Sequence, residues 1–196
     1  MSAFLILHGL ENRRWPGHWQ RHLATELRKA GHTVVYPQFP NEAAPLQAEW
    51  TDVLNTEFEL LAESGVESVT VIGHSLNGLN ILAYLSGHEP EVRIERLLVV
   101  APADPESVAP YCDFVLDPSD QSVKTGIARS VDSFTLIASE SDEWLPRGIV
   151  ETYARPLGVE PVIFEGAGHI AMGDGFGRWA GVIDWCLDAG ASLTRR

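Results

Sequence analysis

Cysteine, basic charge and long apolar runs are all scarce in this chain of 196 residues. Its two cysteines, Cys112 and Cys186, make no disulfide framework and stand at no metal or redox spacing. Against 27 acidic residues there are only 14 Lys and Arg, and the resulting net charge of −13 repels nucleic acid and anionic lipid alike. Arg13-Arg14 and Arg195-Arg196 are doublets, not basic clusters. The opening apolar run, Ala3 to Leu7, is far too short to span a membrane and lacks the charged region that would precede it in a signal peptide, so a soluble cytoplasmic protein is expected. No repeat period, Walker loop or Gly-x-Gly-x-x-Gly after the first strand is present. His18 and His22 stand four apart, but Gln20 and Arg21 lie between them and no Glu follows His18, so the zinc-protease pattern fails. Neither metal nor cofactor is expected.

What is present is apolar material spread along the whole chain, 45% of it hydrophobic, which suits one globular domain over residues 1–196. The pattern alternates between two periods. Phe4 to Leu7, Thr33 to Tyr36, Val69 to Ile72, Leu97 to Val100, Phe134 to Ala138 and Pro161 to Phe164 read as short strands. Between them Trp19, Leu23 and Leu27, then Trp50, Leu54 and Leu61, then Leu76 to Leu85, recur at helical spacing. Further helices are expected from about Pro146 to Leu157 and through Phe176, Trp179, Ile183 and Leu187. Such alternation predicts an α/β fold, a doubly wound, mostly parallel sheet of about six strands with helices on both faces. Only some 30 residues separate the fourth and fifth strands, which leaves no room for a large lid.

In an open parallel sheet ligands bind beyond the carboxyl ends of the strands, so the residues there carry the functional reading. Gly73-His74-Ser75-Leu76 follows a strand directly and opens a helix, the setting in which a serine is pushed out of the sheet as a nucleophile. Asn77 stands where that turn ordinarily has a small residue, with Gly78 one position later. A serine needs a base, and His169 in the Gly-rich turn after the last strand is placed for it in chain order. Asp142, just after the fifth strand, is the first choice to orient that histidine, with Glu140, Glu143 and Asp104 as rivals and Glu140 expected to be solvated. Acyl transfer also needs two N–H donors for the developing oxyanion, worth on the order of 3 kcal/mol each. Leu76 offers one; the loop after the first strand offers Leu10, or secondarily Glu11. His8 and His74 read as braces for their loops. Trp15, Trp19 and Trp144 lie near loop ends, with Trp15 and Trp144 the candidates for substrate contact.

Taken in order, His8-Gly9, Trp15, His18-Trp19, Gly73 to Leu76, Ala101 to Pro105, Ser139 to Pro146 and Gly168-His169 resemble an α/β-hydrolase over essentially the whole chain. More narrowly, the chain resembles the small serine hydrolases that include the retinoblastoma-binding hydrolase and its bacterial YdeN-type relatives. The resemblance implies a compact core without the two leading strands of larger relatives, and a triad of Ser75, Asp142 and His169; Asn77 is its clear mismatch. The expected activity is cleavage of small acyl esters through an acyl-enzyme. Amide, peptide or thioester cleavage by the same triad, and a non-catalytic binding module of the same fold, are the alternatives. The expected partner is a small-molecule acyl substrate, with no nucleic acid and no membrane; the oligomeric state is open.

Overall fold

The apolar runs form the sheet because they are buried on both faces: all five residues of β1 (Ala3–Leu7) are sequestered from water. The computed structural model describes residues 2–195. β1 lies second in a six-stranded sheet of order β2-β1-β3-β4-β5-β6, completed by β2 (Thr33–Val35), β3 (Ser68–His74), β4 (Arg93–Val100), β5 (Val131–Ser139) and β6 (Val162–Phe164). Every adjacent pair is parallel. Parallel neighbours require crossovers, supplied by α1 (Trp19–Lys29), α2 (Gln47–Glu63), α3 (Leu76–Gly87), the single turn α4 (Pro105–Val108), α5 (Gln121–Ser130) and a π-helical turn (Val150–Ala154) continued as α6 (Arg155–Leu157). α7 (Ala180–Leu187) closes the chain.

Alternation along the strands divides the core in two. Phe4 and Ile6 point to one face, where Trp19, Leu23 and Leu27 of α1 and Val182 and Trp185 of α7 cover them. Leu5 and Leu7 point to the other, under Trp50, Leu54 and Phe58 of α2, Leu79 and Leu82 of α3 and Val123 of α5. α1 begins where the His18 ring Nδ1 accepts the Gln20 N–H, and Arg28 and Lys29 stand at its negative end.

This strand order positions the site. From β1 the sheet extends one way to β2 and the other way to β3, and the crossovers diverge there, leaving a crevice at the carboxyl ends of β1 and β3. His8 to Leu10 leave the first of these ends and Ser75 leaves the second.

Several features differ from the sequence reading, among them the last helix, which starts only at Ala180 and leaves Phe176 and Trp179 before it. β4 and β5 begin earlier than their apolar runs, at Arg93 and Val131, because their first residues sit at the sheet's wet end, where Arg93 pairs with Asp132. α5, not assigned from the sequence, lies in the segment of some 30 residues between the fourth and fifth strands; it is polar on its outer side and is capped by the Asp120 carboxylate on the Ser122 N–H. It packs on α3 through Gly126, where an added Cβ would stand 1.9 Å from the Leu85 carbonyl oxygen. Gly126→Ala should therefore cost about 1–3 kcal/mol in urea unfolding. Gly87→Ala, with nothing within 4 Å of its would-be Cβ, serves as a near-neutral control in the same measurement.

Candidate active site

Ser75 sits between the last residue of β3 and the first of α3 with φ 56° and ψ −123°, a conformation that a side-chain-bearing residue holds at a cost of order 1–3 kcal/mol. The surroundings leave it no other. Its N–H donates to the Val100 carbonyl (3.0 Å), and its own carbonyl accepts from Gly78 (2.8 Å). A Cβ on Gly9 would meet the Ser75 Cβ at 2.8 Å, and one on Gly73 would meet the Asn77 carbonyl oxygen at 2.9 Å. The close approach of helix to sheet falls at Gly78, whose Cβ would press on Val99 and Pro102. Asn77 is turned aside and fully buried: its amide donates to the His8 carbonyl (2.5 Å) and its oxygen accepts from Asn80 (3.0 Å). It ties the end of β1 to the serine turn.

The His169 Nε2 lies 2.8 Å from the Ser75 Oγ, and its Nδ1 lies 2.9 Å from both Asp142 carboxylate oxygens. Asp142 is buried and also accepts the Trp144 N–H through Oδ1 (2.9 Å), which holds its carboxylate toward the ring. The rivals are elsewhere. Asp104 caps α4 and receives a two-pronged bond from Arg147 (2.7 and 2.8 Å), and Glu143 is exposed.

Glu140 is exposed, as the sequence suggests, and it also takes part in fixing the histidine turn. The turn that carries His169 is pinned by side-chain acceptors at four successive N–H groups. Gly166 donates to Glu140 (2.7 Å), Ala167 to the Ser139 hydroxyl (2.8 Å), Gly168 to the Ser141 hydroxyl (3.1 Å) and His169 to Asp174 (3.0 Å). The His169 carbonyl in turn accepts from His74 Nε2 (3.0 Å). Gly166 and Gly168 both have positive φ, and a Cβ on Gly168 would collide with the Asp174 carboxylate. The sequence signal for this clamp was the polar run Ser139-Glu140-Ser141 opposite a Gly-rich turn, legible only once strand pairing sets the ends of β5 and β6 side by side.

The Leu76 N–H opens α3 and so has no acceptor within the helix. In the first loop the Glu11 N–H is spent on the Glu42 carbonyl (2.6 Å), which removes it as a donor and leaves Leu10 as the candidate. Leu10 and Ser75, the residue before Leu76, line a cavity of about 240 Å³ walled further by Val108, Tyr111 and Trp144 with His18, His74 and His169. The Trp144 ring lies beside that of His169, tilted by 46°, at 6.2 Å between centroids. Trp15 does not reach this cavity: it is 48% exposed and its indole donates to the Glu11 carbonyl, which turns it outward. Trp19 is buried and bonds the Ile170 carbonyl, a packing residue behind the site.

Three further histidines back the site, all uncharged at neutral pH. Burial moves His8 and His18 from the ordinary 6.5 to about 4, and it holds His74 well below the ordinary range with help from His169 and His18. His8 accepts the Phe39 N–H at Nε2 (2.9 Å), so Nδ1 carries the proton toward the Gly9 carbonyl (2.8 Å). The site is thus furnished with fixed dipoles in a dry setting, not with mobile charge. Among the described residues no group of three or more His, Cys, Asp or Glu is placed to hold a metal, and no helix is long and apolar enough to cross a membrane.

A single parallel sheet with a serine turn after its third strand defines an α/β-hydrolase core. The comparisons place the chain further: the serine hydrolase family matches residues 4–186, and the chain belongs to that family. Among solved structures it resembles the ydeN gene product of B. subtilis, with TM-score 0.76 and 20% identity over 95% of this chain and 97% of that one. It also resembles a YdeN-like hydrolase of Pectobacterium atrosepticum, with TM-score 0.68 and 22% identity over 94% and 88%. A monoacylglycerol lipase of Paleococcus ferrophilus follows the same fold, with TM-score 0.60 and 18% identity over 93% of each chain. No curated protein matches the sequence.

The buried neutral histidines make stability depend on pH. Because their folded-state values are depressed, the unfolded chain takes up protons that the folded chain refuses, so stability is greatest above pH 6.5 and falls toward pH 4. The loss amounts to on the order of 3 kcal/mol per histidine at most. His18→Asn keeps a capping side chain and should flatten the decline between pH 7 and pH 5 in urea titrations. Equal stability of the wild type at both pH values would contradict the assignment.

Proposed function

We propose that this serine hydrolase cleaves small acyl esters through an acyl-enzyme on Ser75. The observation that carries the reading is the unbroken relay from the Ser75 Oγ through the His169 imidazole to the Asp142 carboxylate, with both links at 2.8–2.9 Å. Neutral His169 accepts the Ser75 proton as Oγ attacks the acyl carbonyl. Asp142 holds the ring with Nδ1–H toward itself and stabilises the imidazolium that forms. The oxyanion rests on the N–H groups of Leu76 and Leu10. His169 then gives its proton to the leaving alkoxide, the C–O bond breaks, and water deprotonated by His169 releases the acid and frees Ser75.

The cavity supports a short acyl group. At about 240 Å³ it lies below the usual range for drug-sized ligands, and Leu10, Val108, Tyr111 and Trp144 offer it apolar contact without a covering domain. Trp144 is the substrate-contacting residue of this proposal.

Fluorophosphonate labelling of the wild type beside Ser75→Ala tests the reading. Label on the wild type alone, with a burst of alcohol release from a p-nitrophenyl ester, is expected; a folded wild type that takes no label sinks it. Parallel assays with the matched thioester and anilide rank the leaving groups, the ester being fastest. Asp142→Asn should lower kcat by about 10⁴-fold through the wrong histidine tautomer. Asp174→Ala, which frees the His169 N–H, should cost about 10–100-fold in kcat with little change in KM. An unchanged kcat would mean that the turn holds its shape without that carboxylate.

A further inference from the structure

On the face of α1 turned away from the core, a surface cavity of about 400 Å³ is lined by Arg13, Arg14, Arg21, Arg28, Thr25 and Tyr36, with Ala24 at its base and no carboxylate in its wall. Four of the chain's 14 basic residues therefore converge on one spot of a protein whose net charge is −13. Arg13 is paired with Glu42. Among the described residues the other three are held by neutral groups only: Arg14 donates to the Tyr36 carbonyl (2.9 Å) and Gln38 (3.3 Å), Arg21 to the Arg14 carbonyl (3.0 Å), and Arg28 to the Val34 carbonyl (3.0 Å). These bonds fix the guanidinium positions and consume at most two of the five N–H donors of each. Holding three like charges together is unfavourable, and nothing in the wall offsets it.

A second observation points the same way. Tyr36 is only 7% exposed, lines this cavity, and its hydroxyl has no hydrogen-bond partner among the described residues. The Arg14 guanidinium lies 5.8 Å from the ring centroid. Burial keeps the phenol protonated even though Arg14 and Arg21 both act in the opposite direction. A buried hydroxyl without a partner costs about 1–3 kcal/mol, so an unspent donor belongs to a residue of the same wall as the unspent positive charge.

We propose that this cavity is a binding site for a phosphate-type oxyanion, free or as the phosphoryl group of a small metabolite. A monoanion would offset one of the three uncompensated charges. A tetrahedral dianion offers enough oxygens for several guanidinium forks at once, which is the geometry arginine recognises best. The site is distinct from the Ser75 cavity, although both draw on the loop that leaves β1: residues 9–12 line the one, and Arg13 and Arg14 the other. The two are joined there by the Asn12 side chain, which accepts the Arg14 N–H (2.7 Å).

Titration of the wild type with inorganic phosphate and with phenyl phosphate, at ionic strength held constant with KCl, tests the proposal by calorimetry and by thermal unfolding. Saturable binding and a rise in Tm are expected with phosphate and not with chloride. Tighter binding of phenyl phosphate than of phosphate would identify a phosphoryl group on a larger molecule as the ligand; equal binding would identify the free ion. Arg14→Gln and Arg28→Gln should each weaken binding about tenfold, whereas Ser75→Ala should bind as the wild type does. Should either arginine variant fail to fold, the guanidinium Nε–Hε resonances of Arg14, Arg21 and Arg28 in the wild type give the same answer by shifting on titration. The absence of saturable binding, or binding undiminished in the Arg14→Gln, Arg28→Gln double variant, would overturn the site.

Discussion

The structure turns on a serine held in a backbone conformation that it would not choose. Ser75 at φ 56° is tenable because β3, α3 and the loop after β1 leave it no alternative: Gly9 and Gly73 admit the neighbouring chain at distances no Cβ allows, and the Val100 carbonyl takes the serine N–H. Strain of this kind persists only where surrounding contacts over-determine it. The long parallel β3 and β4, buried through their carboxyl halves, supply that rigidity. The same constraint lifts the hydroxyl out of the sheet and sets the first N–H of α3 beside it.

The rest of the site answers the difficulty of placing a histidine on a loop. A Gly-rich turn is mobile in isolation, and a base must sit within a fraction of an ångström of its serine. Here four consecutive N–H groups from Gly166 to His169 are satisfied by Glu140, Ser139, Ser141 and Asp174, and the His169 carbonyl is taken by His74. The loop becomes as fixed as a strand end. Behind it lie neutral, buried imidazoles, so the Asp142 carboxylate meets the His169 ring without a competing cation.

Much of this was legible one residue at a time. Strands short enough to be buried on both faces, alternating with amphipathic helices, led to the parallel sheet. The chain order serine, aspartate, histidine at three strand ends named residues that the fold joins through His169, Ser75 at 2.8 Å on one ring nitrogen and Asp142 at 2.9 Å on the other. Other readings depended on pairings invisible in a linear pattern. Asn77 looked like a flaw in the serine turn, yet its amide reaches back 69 positions to the His8 carbonyl. Glu140 is exposed as read, but its bond to the Gly166 N–H, 26 residues on, was not visible in the sequence. Trp15 looked like a pocket wall; a local bond to Glu11 turns it to solvent instead. α5 was hidden because its close approach to α3 falls on Gly126, and only Val123 and Ile127 mark its buried side.

The sequence by itself determined the elements, their alternation and the candidate chemistry, since periodicity and turn residues are local properties of the chain. Tertiary structure alone decided which carboxylate faces the histidine, which N–H groups remain unspent, and that four arginines from a loop and a helix gather at one cavity. Those outcomes depend on directions and distances between segments remote in sequence, and these exist only once the parallel sheet has set its strand ends side by side.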